Sequence, residues 1–432
     1  MSSQTVSSKL QWIAEAAARD PGRVFTSLAH LIDVDFLTEA YRRMRKDSAP
    51  GVDGVTAREY ADNLDKHLQD LHERLKGGRY TAPPVKRVWI DKDNGGKRAI
   101  GMPGFEDKIV QRAVAMILGA VYEQDFEDFS FGFREGHSQH QALAYLREQC
   151  RECGVAWIVD ADLAQFFDSL DWTLMVKIIK KGVNDGALIR LIGKWLHAGV
   201  MEEGILIHPV RGTPQGSSLS PVLSNIVLHW VLDRWYVRDV KPRLKGRSFL
   251  VRWADDFLIG FEREDEARRV MAALPKRFNL FKLTIHPAKT VLTRFQRPSP
   301  AGEKDGGNGT FDFLGFTHYW AKTRQGFWVI KRKTAKKRLR RAMKSIWEWC
   351  RNHRHDRLSE QHSMLCLKLR GHYRYYGVRA NYENLVAVMR YAVKAWKYWL
   401  SRRSSKSYIT WDAFARLNRV FPLPVPRIYH VI

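Results

Sequence analysis

The sequence predicts an α+β chain, with mixed helices and strands up to residue 320 and a helical, strongly basic region from 321 to 432. Three stretches carry that expectation. Phe249 to Phe261, FLVRWADDFLIGF, sets two short apolar runs around Asp255 and Asp256, which reads as a β-hairpin with two carboxylates at its tip. Trp157 to Leu170, WIVDADLAQFFDSL, reads as an apolar strand with Asp160 and Asp162 on one face, since residues two apart project the same way. Residues 321–360 hold fourteen Lys or Arg against three Asp or Glu, and Leu339, Met343, Ile346, Trp347 and Cys350 recur at helical spacing.

Adjacent carboxylates in apolar sequence repel each other and lose hydration, so they call for a cation. A hard divalent ion with oxygen ligands, Mg²⁺ above all, is the natural counter-charge. An acidic turn alone is a common surface feature. The second acidic strand changes the balance, because two-metal phosphoryl transfer needs carboxylates from separate segments gripping both ions.

Composition narrows the class. A formal charge of +26 over 432 residues points to a polyanionic partner, nucleic acid first. With 45% hydrophobic and 27% charged residues, the chain is a folded protein of two to three domains and not a disordered basic tail. Cys150, Cys153, Cys350 and Cys366 are too few for a disulfide framework. Cys150 and Cys153 form a CxxC with no second pair at zinc spacing, so a reduced chain is expected. The N-terminus lacks the apolar core of a signal peptide and no run approaches a membrane span, so a cytoplasmic protein is expected.

In chain order, residues 1–8 read as frayed, and Lys9–Arg19 and Val34–Arg45 as helices. A turn cluster at Ser48–Gly54 precedes a helical stretch from Thr56 to Lys76. Tyr80 to Pro103 reads as two strands around Gly95 and Gly96, with Lys92 and Arg98 on either side of the turn. Asp107–Tyr122 is a core helix by its spacing. His137 and His140 read as loop imidazoles rather than a metal pair. Helices are expected over Asp171–Val200, and Arg211–Leu228, RGTPQGSSLSPVLSNIVL, reads as a turn feeding a long apolar helix. Glu262–Phe278 is amphipathic, 298–310 is a loop, and Phe311–Phe316 is a strand. Lys368–Val378, KLRGHYRYYGV, interleaves aromatics with Arg, a stacking-plus-charge pattern suited to RNA.

Taken together these strings resemble a group II intron-encoded reverse transcriptase/maturase over nearly the whole chain. The most specific is GTPQG followed by SSLSP and Asn225, joined by WADD at the hairpin, DADLAQFF, and FGFREG at 131–136. The resemblance implies a right-hand polymerase: an N-terminal extension (1–55), mixed α/β fingers and palm (56–320), and an all-α thumb or maturase domain (321–432). It implies RNA-directed DNA synthesis with two Mg²⁺ ions held by Asp162, Asp255 and Asp256, Asp160 being a supporting acid. Lys92, Arg98 and Lys289 become ligands of the incoming nucleotide's phosphates. Phe167 packs under its sugar and favours deoxynucleotides, and Gln215 meets nucleotide and template base. Implied partners are RNA template and primer, dNTPs, a group II intron RNA and a DNA target, with no membrane.

This chain departs from the family pattern at several places. Ala99 follows Arg98 where Pro is usual, and Glu135 and His137 replace Pro and Arg. Leu163-Ala164-Gln165 stands where Ile-Lys-Gly is common, and Trp253 replaces Tyr. The metal ligands survive these changes, while a template contact and a local positive charge do not. No Cys/His-rich segment resembles the endonuclease domain of some relatives, so second-strand DNA cleavage is not expected. Two other readings stand beside polymerase: an RNA-binding splicing cofactor with an idle polymerase, and a relative recruited to phage defence.

Overall fold

The computed structural model describes residues 2–91, 96–202, 204–213, 216–298, 309–404 and 406–432, with backbone alone for Ser2 and Ser3. The strands are β1 (Val85–Asp91), β2 (Lys97–Met102), β3 (Trp157–Ala161), β4 (Val200–Glu202), β5 (Ile205–Ile207), β6 (Ser248–Trp253), β7 (Asp256–Phe261), β8 (Val291–Arg294), β9 (Phe311–Phe313), β10 (Phe316–Lys322) and β11 (Trp328–Thr334). They form three sheets, of order β2-β1-β4-β5, β6-β7-β3-β8 and β11-β10-β9. Helices fill most intervals, and from Lys336 onward the named elements among the described residues are all helices, the last ending at Val420.

The chain packs as two compact units. The first comprises residues 1–138, 159–259 and 265–291, and the second 139–158, 260–264 and 292–432. In the first, the helix Phe105–Tyr122 is a core element, with Ile109, Val110, Ala113, Val114, Ile117 and Leu118 fully buried. β6 and β7 are buried along nearly their whole length, which is why both read as continuous apolar runs rather than alternating ones. In the second, the helices Lys336–Asn352, Leu358–Tyr376, Tyr382–Leu400 and Trp411–Val420 enclose a core around Trp396. Trp396 Nε1 donates to Gln361 Oε1 at 2.9 Å, so the one polar atom of that ring is satisfied.

Several sequence expectations need correction. The first helix runs from Ser2 to Arg19 rather than starting at Lys9, because Val6 is fully buried and extends its apolar stripe. The stretch 56–76 is two helices, Ala57–Ala61 and Leu64–Lys76, the first opened by a capping box between Thr56 and Glu59. The basic stretch expected to be helical from 321 begins with a hairpin. β11 pairs antiparallel with β10, and helix starts only at Lys336. Its β-branched and aromatic residues, Trp328, Val329, Ile330 and Thr334, favour that pairing despite the surrounding lysines. His140 is not on a loop: it lies in the helix Gln139–Glu152, half-buried, donating to the Tyr375 carbonyl at 2.8 Å and stacked on His430.

Candidate active site

Asp255 sits in the tight turn between β6 and β7, preceded by Ala254 at φ +56°. A left-handed alanine is costly, so the surroundings must enforce it. They do so through a buried polar network. Arg252 and Asp233 are both fully buried, and the guanidinium grips the carboxylate through two bonds of 2.8 and 2.6 Å. A further Arg252 nitrogen donates to the Ala254 carbonyl at 3.1 Å and to Asn225 Oδ1 at 3.0 Å. Asn225 Nδ2 in turn donates to the Gly132 carbonyl at 2.7 Å. Gly132 lies against the turn so closely that a Cβ there would stand 2.2 Å from the Ala254 nitrogen. The hairpin tip is therefore set by a glycine on one side and a buried ion pair on the other.

Asp162 follows β3, and its backbone is pinned by the segment 284–286. Ala164 N–H donates to Thr284 O at 2.9 Å, and His286 N–H to Asp162 O at 2.8 Å. That pairing brings Lys289, at the end of a short 3₁₀ turn Pro287–Lys289, into an ion pair with the Asp162 carboxylate. Burial pushes the half-buried Asp255 carboxyl up from its ordinary range, and the charge of Asp162 pushes the same way. Arg98 and Lys289 pull against both. Two acids and two bases from separate segments thus share one electrostatic site.

The aromatic pair is held by the glycine-rich turn. Thr213 N–H donates to Phe167 O and Gly212 N–H to Leu170 O, both at 2.8 Å. A Cβ on Gly212 would meet the Asp168 backbone at 2.8 Å. Phe166 is buried and Phe167 half-buried, edge to face with centroids 5.4 Å apart. Gly216, at φ +118°, brings the same turn against β2, where a Cβ would lie 2.4 Å from the Gly101 carbonyl.

Of the residues singled out from sequence, Asp162, Asp255, Arg98 and Lys289 come together electrostatically. Asp256 opens β7 and is exposed, Asp160 is half-buried on β3, and Phe167 flanks the turn at 212–213. Lys92 and Gln215 lie outside the described residues. Among the described residues, no group of three His, Cys, Asp or Glu side chains is close enough to hold a metal ion. The positioning residues Arg252 and Asp233 were missed. Arg252 stands inside the apolar hairpin run, and an arginine at such a position is itself a sign of a buried partner.

A family model described as reverse transcriptase (RNA-dependent DNA polymerase) matches residues 90–318, a span containing Arg98, Asp162, the hairpin tip and Lys289. The chain belongs to the reverse transcriptase family. It is 33% identical over 281 residues to Protein YkfC of Escherichia coli (strain K12), across 57% of this chain and 73% of that protein. It is 34% identical over 242 residues to the group II intron-encoded protein LtrA of Lactococcus lactis subsp. cremoris, across 55% of this chain and 40% of that protein. It is 26% identical over 199 residues to nuclear intron maturase 3, mitochondrial, of Arabidopsis thaliana, across 45% of this chain. The chain thus spans less than half the length of the last two, 40% and 26% respectively.

Proposed function

We propose that the chain is an RNA-directed DNA polymerase of the group II intron type, with residues 56–320 as fingers and palm and 321–432 as thumb. One observation carries the reading: Asp162 and Asp255, from separate segments, are electrostatically coupled with Arg98 and Lys289 around them. The donor set is oxygen alone, which suits Mg²⁺, and the Lys289 ammonium already stands on Asp162 as a counter-cation. Asp162, Asp255 and Asp256, which do not form a three-acid cluster as they stand, are the residues that would have to draw together to hold the two ions. Bound there, the ions supply charge that lowers the pKa of the attacking primer 3′-OH and offsets the charge on the leaving pyrophosphate.

The chain's own groups do the rest. Arg98 and Lys289 draw the triphosphate to the acidic pair and stabilise its charge, joined by Lys92. Phe167 packs beneath the sugar and excludes a ribose 2′-OH. Gln215 contacts the nucleotide and template base. The buried Arg252–Asp233 pair holds the turn so that Asp255 is fixed before substrate arrives.

The test is primer extension on an RNA template with dNTPs and Mg²⁺, wild type beside Asp255→Asn. Extension by wild type alone is expected, with RNA binding retained in the variant, because a metal ligand is lost and the basic surface is not. Equal extension by both would sink the catalytic assignment. A splicing cofactor with an idle polymerase is the second reading, favoured by the helix Lys336–Asn352, seven of whose ten exposed residues are Lys or Arg. No extension by either protein, with tight salt-sensitive RNA binding, is its signature.

A further inference from the structure

The second unit contains a cavity of about 680 Å³ that shares no residue with the acidic site. Arg147, Arg324, Lys331, Arg332 and Arg379 contribute to its lining, and no Asp or Glu does. Arg147 comes from the helix Gln139–Glu152, Arg324 from the β10–β11 turn, Lys331 and Arg332 from β11, and Arg379 from the segment after the helix Leu358–Tyr376. Among the described residues, no carboxylate, the chain-terminal one included, lies within ion-pair distance of any of the five.

Arg332 is the telling member. It is 2% exposed, and its guanidinium donates to the Leu143 carbonyl at 3.1 Å. The residue opposite it across the β10–β11 ladder is His318, fully buried and stacked on Phe311. Burial, then the charge of Arg332, pushes that imidazole down to about 3, so it stays neutral beside the guanidinium. Burial, then Arg147, also pulls Arg332 down, to about 10, and it stays charged at neutral pH. A buried guanidinium beside other cations is unfavourable unless an anion completes it. The planar fork of arginine matches phosphate oxygens two at a time, and four of the five cations are arginines.

We propose that this pocket seats a phosphate group of an RNA strand, with Arg332 as its buried anchor and Arg147, Arg324, Lys331 and Arg379 closing around it. The choice of RNA over a free phosphate rests on the reading above, that the chain works on RNA. Outside that reading, the same five cations would serve inorganic phosphate or a nucleotide.

The experiment uses the full chain and the double variant Arg147→Gln/Arg379→Gln, both positions being exposed so that the fold is spared. Fluorescence anisotropy with a labelled single-stranded RNA of about 20 nucleotides, over about 50 to 400 mM KCl, reads affinity and salt slope. The variant should bind about five- to tenfold more weakly, and its log–log salt slope should be shallower by about 0.7 to 1.4, the loss of one or two phosphate contacts. Lys177→Gln/Lys180→Gln, which removes two exposed lysines elsewhere, should change neither. Equal losses in both variants would mean generic charge and no site.

Calorimetry with inorganic phosphate and with ATP separates the sources. Binding that the pocket variant loses while its RNA affinity is unchanged would overturn the RNA assignment, as would a wild type that binds no RNA. A wild type that fails to extend primers, yet whose pocket variant shows the predicted slope change, would retire the polymerase reading and leave this site standing.

Discussion

Arg252 has the most to lose at the scale of single residues. Its guanidinium is fully buried, bonded to Asp233, Asn225 and the Ala254 carbonyl. Arg252→Met would leave the Asp233 carboxylate buried without its ion partner, a loss of about 3–5 kcal/mol. Arg252→Met/Asp233→Leu should recover much of that stability in urea unfolding, but not primer extension, because the turn carrying Asp255 is still released. A double variant as active as wild type would show that the pair only stabilises. Asp107 makes a second residue-scale prediction. Burial, with Glu106 and Asp53 adding to it, raises its carboxyl from 3.8 to about 7, and Tyr80 donates to it. The folded state therefore keeps its proton where the unfolded chain has lost it, so stability is fully present below 3.8 and falls as pH rises toward 7. A raise of that size corresponds to roughly 4 kcal/mol at most. Asp107→Asn should flatten that part of the pH–stability curve, compared by urea midpoints at pH about 5 and about 8. A wild-type slope that persists in the variant would place the titration elsewhere.

At the scale of elements, the active-site hairpin depends on what is packed under it. Gly132→Ala drives a methyl into the Ala254 backbone, where the available distance is 2.2 Å. Overpacking of this kind costs about 1–3 kcal/mol, and here the displaced atoms belong to the turn that carries Asp255. Catalysis should fall further than stability, seen as a large drop in kcat beside a melting temperature lowered by only a few degrees. The reverse ratio would mean that the hairpin absorbs the methyl without moving Asp255. In the helical region Trp396 plays the corresponding part for folding. It is fully buried among Leu365, Leu369, Val388 and Phe414, and truncation to Ala should cost about 3–5 kcal/mol. Hydrogen exchange should register that loss in the four C-terminal helices.

For the whole molecule the dominant quantity is charge. A net +26 is large enough that RNA affinity should fall steeply with salt, with a log–log slope of about −4 or steeper, equivalent to six or more phosphates. A slope shallower than about −1 would contradict the nucleic-acid reading altogether. Among the described residues no helix is long and apolar enough to cross a membrane, so the amphipathic basic helix Lys336–Asn352 is not a span.

The chemistry of the candidate site could be read from sequence because it depends on residue type and short spacing. Paired acids beside apolar runs and a glycine-rich turn before a long helix keep their meaning within one local segment, whereas Lys289 was singled out through the family resemblance alone. The mixture of helices and strands was legible for the same reason, since burial leaves a 2- or 3.6-residue period. Other features belonged to tertiary structure alone. Arg252 and Asp233 are 19 residues apart, Asp233 at the end of the π-helical turn His229–Asp233 and a second such turn, Tyr236–Val240, between them. The hairpin β10–β11 hid within a basic stretch that reads as helix, and its cross-strand register alone sets His318 opposite Arg332. Pairings of this kind have no local signature, because each partner is ordinary in its own segment and becomes informative only when burial removes the water that would have solvated it.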